Sequence, residues 1–510
     1  VILLSNILNI IRIGVLSMSD KEQLEKLDKS FLGQPKGLAT LFFTEMWERF
    51  SYYGMRAILM YYIYDTVANG GLGLPKATAL AIMSIYGSMV FMSSIIGGWV
   101  SDRVLGSRKT VFIGGLLIIA GHIVLATPFG VPALFVSIML IVFGTGMLKP
   151  NVSGMVGHLY SKTDLRRDAG FSIFYMGINI GALIAPLVVG TLGQEYNYHL
   201  GFSVAAVGMF FGLLQYYFQG RKSLAGIGQA PTNPMSKEEQ KKFAKAFMLA
   251  IVVALLIFGG AYVTGHLTID FFINTISVLG ILLPVYYFSK MLTSKDVTAE
   301  EKPKVLAYLP LFLAAIVFWS LEEQGSSILA LFANERTQTS LFGFPIAASW
   351  FQSLNPVFVV ILTPIFVTLW TKLGKRQPST VVKFSLGLVF AGLSFVLLML
   401  PGLLYGTEGR VSPLWLFFSF FIMIVGEMCL SPVGLSITTK LALKAFEAQT
   451  VAIWLLADAA SQAINAQIAR FYTPGTESAY FGIVGLVAVV AGILLFIVKK
   501  PIQNLMGDVR

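Results

Sequence analysis

Apolar runs of about twenty residues recur from Leu38 to Val498, separated by short polar loops. One such run is long enough to cross the hydrocarbon core of a bilayer as a helix. In lipid a helix is also the form that satisfies every backbone polar group within one segment. Read this way, spans lie near 38–64, 77–100, 110–127, 133–157, 170–192 and 201–219, then 246–264 and 270–289, and finally 305–330, 346–370, 379–400, 413–437, 450–470 and 479–498. The pattern is six, two and six. At 56% hydrophobic and 12% charged, a chain of 510 residues is too apolar to fold in water, so it is an all-α membrane protein.

The loops set the orientation. Most of the 37 Lys and Arg residues fall in the N-terminal segment, the C-terminal tail and alternate loops, while the opposite loops carry only Lys76, Arg336 and Arg410. Cytoplasmic loops collect the positive charge, so both termini are expected on the cytoplasmic side of the cell membrane. The net charge of +11 is then a topology signal rather than a nucleic-acid footprint. The expected organisation is a cytoplasmic segment 1–37, a six-helix bundle 38–219, a linker 220–304 with two additional helices, a second bundle 305–498 and a tail 499–510. Val1–Ser17 is interrupted by Asn6, Asn9 and Arg12 and has no basic lead, unlike a signal peptide. Met18 precedes a polar cytoplasmic stretch and is read as the true start, with 1–17 upstream of it.

Charge inside the spans is costly, about 2.5–3.5 kcal/mol per group at the bilayer centre on insertion scales. Such groups face protein, water or cargo. In the first span Glu45, Glu48, Arg49, Tyr52, Tyr53 and Arg56 recur at helical spacing and share one face. Lys149 lies in the fourth span beside Pro150, which removes a backbone donor. Leaving the two additional helices uncounted, Glu322 and Glu323 lie in the seventh span, Glu427 in the tenth and Asp458 in the eleventh. Such a set implies a polar pathway through the membrane. Tyr61, Tyr62 and Tyr64 near a helix end read as an interfacial aromatic belt.

Nothing points to an enzyme. Cys429 is the single cysteine, the four histidines are scattered, and no nucleophile–base pair, metal cluster or phosphate loop is present. No cofactor, nucleic acid or obligate protein partner is expected.

Six spans plus six, joined through the cytoplasm, resemble the major-facilitator layout. The loop Gly98-Trp-Val-Ser-Asp102-Arg103-Val-Leu-Gly106-Ser-Arg108-Lys109 resembles that superfamily's G-x-x-x-D-R-x-G-x-[RK]-[RK] loop, with one extra residue before the second glycine. Asp102 is expected to accept from neighbouring helix ends and brace the inward gate. More closely, the chain from Gly33 onward resembles the proton-dependent oligopeptide transporter family. Its E-x-x-E-R-F motif stands at Glu45 to Phe50, and its F-Y-x-x-I-N-x-G motif at Phe174 to Gly181. K-P-N follows at Lys149 to Asn151, F-W-x-x-x-E-Q at Phe318 to Gln324, W-F-Q-S-x-N-P at Trp350 to Pro356 and G-E-x-x-x-S-P-x-G-L-S at Gly426 to Ser436.

The resemblance implies the major-facilitator fold, two six-helix bundles plus two inserted helices, and proton-driven uptake of di- and tripeptides by alternating access. It implies that Arg56 and Lys149 hold the peptide carboxylate, and that Glu427, with Asn179 and Asn355, receives the ammonium. Tyr52, Tyr53 and Tyr86 would supply hydroxyls, and Trp319, Trp454 and Ser431 would line side-chain pockets. Arg56–Glu323 is expected to close the outward side and Lys149–Glu427 the inward side, while Glu45, Glu48 and Arg49 with Lys149 form a second proton-sensitive cluster. An acid that swaps partners between states can bind and release a proton. A relative carrying nitrate is the alternative, disfavoured by the intact E-x-x-E-R set and by Glu427. Glu322, about 100° round the helix from Glu323, is expected to point elsewhere. Asp458 is expected to be structural, near Arg470.

Overall fold

A computed structural model describes residues 28–507 apart from 162, 163, 165, 225, 296, 342 and 444–446. The reading of Met18 as the start lies outside the described residues. The first six core helices are α1 Lys36–Tyr64, α2 Lys76–Val100, α3 Ser107–Leu125, α4 Gly130–His158, α5 Arg167–Ala185 and α6 Tyr198–Ser223. Two additional helices follow, α7 Lys237–Val263 and α8 Ile269–Thr293. The second half holds α9 Lys302–Glu322 with the short α10 Ile328–Glu335, then α11 Leu354–Leu373, α12 Thr380–Tyr405, α13 Leu414–Lys440, α14 Glu447–Ile468 and α15 Glu477–Ile497. The helix α16, Lys499–Met506, closes the described chain.

Among the described residues twelve helices are apolar and long enough to cross a membrane. The remaining two long helices, α1 and α14, are more polar; they carry the Glu45–Arg56 stripe and Asp458. The expected fourteen crossings are present, arranged as a major-facilitator fold. α1 packs on α5 and α6, and α3 on α4 and α6, in the first half; α12 packs on α13 and α15 in the second. The halves meet chiefly through α2 against α14 and α5 against α11.

Boundaries shift where local chemistry extends or breaks a helix. α7 begins nine residues before the expected span, because Ser236 and Glu239 form a capping box that starts it in the polar Lys237–Lys245 stretch. The seventh core span is interrupted at its acids: α9 ends at Glu322, a tight turn runs Glu323–Ser326, and Ser327 leaves helical geometry at φ −123°, ψ −87°. The Gly325-Ser326-Ser327 run supplies the break.

Small residues set the tightest contact in the first half. Pro150 has no N–H to offer the Gly146 carbonyl. That oxygen lies against Gly97 of α2, where a Cβ would come within 2.0 Å of it. Asn151 donates to the Gly97 and Met147 carbonyls, so the loosened turn is re-satisfied by a side chain.

The Asp102 loop is braced otherwise than expected. Its second glycine, Gly106, has φ +78°, which the turn needs. Asp102 accepts from Thr232 and, through its carbonyl, from the backbone of Asn233, while Arg103 pairs with Glu239 at 2.5 Å. The linker, and not a neighbouring helix end, holds it. Of the two additional helices, α7 is almost wholly exposed on its long sides. α8 instead packs on both α2 and α14, so it straddles the two halves.

Candidate functional site

A cavity of about 350 Å³ lies between the halves. Its charged lining is Glu45, Arg49, Arg56 and Lys149 from the first half, and Glu322, Glu323, Glu427 and Asp458 from the second. Tyr53, Asn179, Trp319 and Asn355 also line it. Ten of the fifteen expected site residues therefore reach one wall or another; Glu48, Tyr52, Tyr86, Ser431 and Trp454 do not.

The stripe on α1 is built as its spacing dictates. Arg49 Nε lies 2.9 Å from Glu45 and 2.7 Å from Glu48, with all three side chains buried. Glu48 sits behind the wall as the second counter-ion. Tyr52 packs between two guanidiniums, its ring centre 5.4 Å from Arg49 and 5.5 Å from Arg56, and its hydroxyl accepts from Arg56 at 3.2 Å. Tyr86 stacks obliquely on Tyr52, ring centres 6.1 Å apart, and is fully buried. Both tyrosines shape Arg56 from behind rather than facing the cavity.

Across the cavity, Arg56 Nη2 donates to Glu323 Oε2 at 2.9 Å and to Ser326 Oγ at 2.5 Å. Gln462 of α14 donates to the same Glu323 oxygen at 2.5 Å. Gln462 and Ser326 were not among the expected site residues. A cluster of polar residues after Asp458 in a membrane span, Ser461, Gln462, Asn465 and Gln467, is the signal that could have found Gln462.

Several expectations are corrected. Glu322 does not point away: it lines the cavity and accepts from Asn355 at 2.8 Å, because the helix ends there and both acids reach the open end. Asn355 therefore partners Glu322 and not Glu427, and Asn179 donates to the Tyr175 carbonyl of its own helix. Asp458 is not near Arg470, which instead faces Asp270 at 3.5 Å and Asn274; Asp458 lines the cavity. The Lys149–Glu427 pair, expected to close the inward side, is open while Arg56–Glu323 is closed. The Lys149 ammonium lies over the Phe91 ring, 4.8 Å from its centre, a favourable seat for a cation. Trp454 packs on Phe384 and Gly434 rather than on the cavity.

The aromatic residues at the end of α1 are not an interfacial belt. Tyr61 and Tyr62 are 1% exposed, Tyr61 donates to the Ala330 carbonyl and Tyr64 accepts from Asn334. At the same end Lys76 pairs with Glu335, Gln194 accepts from the Ser349 backbone, and Trp350 Nε1 donates to Thr191 at 2.8 Å. Each of these contacts joins the two halves. They seal the cavity at the end marked by Tyr64 and Glu335, beyond the Arg56–Glu323 pair.

Chemically, the cavity combines fixed cations, carboxylates from both halves and few hydrogen-bond partners for several buried atoms, among them Glu427 Oε2, Asp458 Oδ1 and Trp319 Nε1. Such a site fits a small guest carrying both charges.

Comparison with known proteins gives consistent matches. The POT family model matches residues 108–487. The di-/tripeptide transporter of Lactococcus lactis subsp. cremoris is 54% identical over 496 residues, covering 96% of this chain and 100% of the relative. Peptide transporter YePEPT of Yersinia enterocolitica subsp. palearctica is 35% identical over 84% of this chain and 86% of its own length. The crystal structure of peptide transporter POT in complex with sulfate superposes with a TM-score of 0.92 at 55% identity, covering 96% of this chain and 100% of that one.

Proposed function

This chain belongs to the POT family, and from that premise we propose that it is a symporter importing di- and tripeptides across the cell membrane, driven by the inward proton gradient through alternating access. The observation that carries the reading is the Arg56–Glu323 pair, a cation of one half neutralised by an acid of the other across a shared cavity. The named transport of di- and tripeptides by relatives more than half identical supplies the cargo.

A short peptide is a zwitterion gripped at its ends. In our reading Arg56 and Lys149 take the carboxylate, Arg56 with the planar fork suited to a bidentate contact. Glu427 takes the ammonium through its unpartnered oxygen. Tyr53, Asn179 and Trp319 face the backbone and side chains between. Protonation of Glu323 removes the partner of Arg56 and frees the guanidinium as the far-end seal opens; Glu45, Glu48 and Arg49 form the second proton-sensitive cluster. With the basic loops cytoplasmic, the sealed end is extracellular and the cavity faces inward.

The test is dialanine uptake into proteoliposomes under an imposed inward proton gradient. Accumulation that collapses when a protonophore is added is the expected result. Uptake indifferent to the gradient, or uptake of nitrate in place of dialanine, would overturn the reading.

A further inference from the structure

Four carboxylates stand on the second half's wall of the cavity, and two of them are already engaged. Glu323 is held by Arg56 and Gln462, and Glu322 by Asn355. Glu427 Oε2 and Asp458 Oδ1 are buried without a partner. On the facing wall Arg49 and Arg56 are paired, while Lys149 forms no ion pair among the described residues. One free cation thus confronts two free acids.

Position separates the two acids. The Lys149 ammonium rests on the Phe91 ring, and Phe91 packs against Leu456 and Ala459 of α14, the residues that flank Asp458. The ring bearing the cation therefore sits on the very turn that bears this carboxylate. Asp458 is 94% buried, with 6% of its surface exposed. A carboxylate so placed costs several kcal/mol unless a cation or a proton compensates it. Glu427 stands on a different helix, α13, and assigning it to Lys149 would use the ammonium seat as a gate as well.

We infer that Asp458 is the carboxylate that pairs with Lys149 across the two halves, as the second proton-linked latch beside Arg56–Glu323, leaving Glu427 to the peptide ammonium throughout the cycle. This deepens the proposed function and rests on it. In the step itself the Asp458 carboxylate takes up one proton, no covalent bond other than O–H forms, and Lys149 passes to the peptide carboxylate; the proton leaves when Lys149 returns. The charged groups facing Asp458 are Lys149 and Arg56 from the first half and Glu322, Glu323 and Glu427 from the second, with Tyr287 of α8 packed beside Phe91. Lys149 is also within electrostatic reach of Glu45, Glu48 and Arg49. It is thus poised between a set of acids in its own half and one acid in the other.

The experiment uses the full chain in proteoliposomes with dialanine. Wild-type accumulation under the proton gradient is the control; its absence would remove the symporter reading, which is a different failure from those below. Asp458→Asn is expected to lower accumulation about tenfold or more while lowering counterflow far less, and Asp458→Glu to recover most of it. The pH dependence of dialanine Kd is then measured for Asp458→Asn, Lys149→Gln and the double variant. Pairing predicts that Asp458→Asn flattens the pH profile in wild type and changes nothing further in Lys149→Gln. Two outcomes would overturn the inference: independent, additive effects of the two substitutions, or a parallel loss of accumulation and counterflow that Asp458→Glu does not repair. Coupling of Lys149 to Glu427→Gln in place of Asp458→Asn would likewise overturn it.

Discussion

Arg56 and Glu323 lie 267 positions apart in the chain and 2.9 Å apart in space, both nearly dry. Ser326 and Gln462 add hydrogen bonds on either side, so the pair is held within a small polar network rather than alone. A buried pair of this kind stabilises the state that contains it chiefly because breaking it strands a charge. The sealed conformation and the protonation of Glu323 are therefore linked.

Glu323→Gln keeps the shape and the hydrogen-bond acceptor but cannot gain a proton. It is expected to abolish proton-driven accumulation of dialanine while part of the counterflow survives. Parallel measurement of both in proteoliposomes checks this, and concentrative uptake at wild-type rate would reject the role.

Glu427→Gln removes the acid proposed to seat the peptide ammonium. A hydrogen bond to a charged group is worth about 1.5–3 kcal/mol, so the Kd for dialanine should rise about 10- to 100-fold. Affinity for the N-acetylated peptide, which has no ammonium, should barely change. Binding titrations of the two ligands against both proteins give the comparison; equal losses for both would exclude the assignment.

Trp350 donates to Thr191 across the sealed end. Trp350→Phe deletes that donor and little else, and should destabilise the sealed conformation by about 1 kcal/mol. A cysteine placed at Ser326, in a background with Cys429→Ser, should then react faster with an impermeant maleimide added from the sealed side. An unchanged rate would mean that the bond carries no share of the closure.

Arg336 and Glu477 form a second buried pair, 2.8 Å apart and away from the cavity, with Arg336 also donating to the Gly406 carbonyl. It ties the end of α10 to the start of α15. Glu477→Ala leaves the guanidinium uncompensated and should cost about 3–5 kcal/mol of stability. Thermal unfolding in detergent should shift down accordingly, with the Kd for dialanine of the remaining folded protein near the wild-type value.

Some of this was open to reading from the order of residues alone. Apolar runs of bilayer length and the asymmetry of basic loops are local quantities, so the fourteen crossings needed no tertiary information. The cost of charge in lipid likewise picked out α1, Lys149, Glu323 and Glu427 as pathway residues before any distance was known. The same cost marked Asp458 as well, yet from the sequence it reads as structural, and uncharged Gln462 carries no such signal. No motif of the resembling family names either residue.

Partners were another matter. Helical spacing places side chains on a face, but which face meets which helix depends on crossings between segments hundreds of residues apart. Only the folded chain could therefore assign Asn355 to Glu322, seat Lys149 on Phe91 and turn Tyr61 and Tyr64 from a lipid-facing belt into a seal. A break after Glu322 brought both neighbouring acids to one cavity, where an unbroken helix would have sent them apart. The sequence determined that this protein crosses a membrane and carries charge through it, because those follow from the free energy of single segments. The tertiary structure decided which charges neutralise one another, because Coulomb energy depends on distances that no single segment contains.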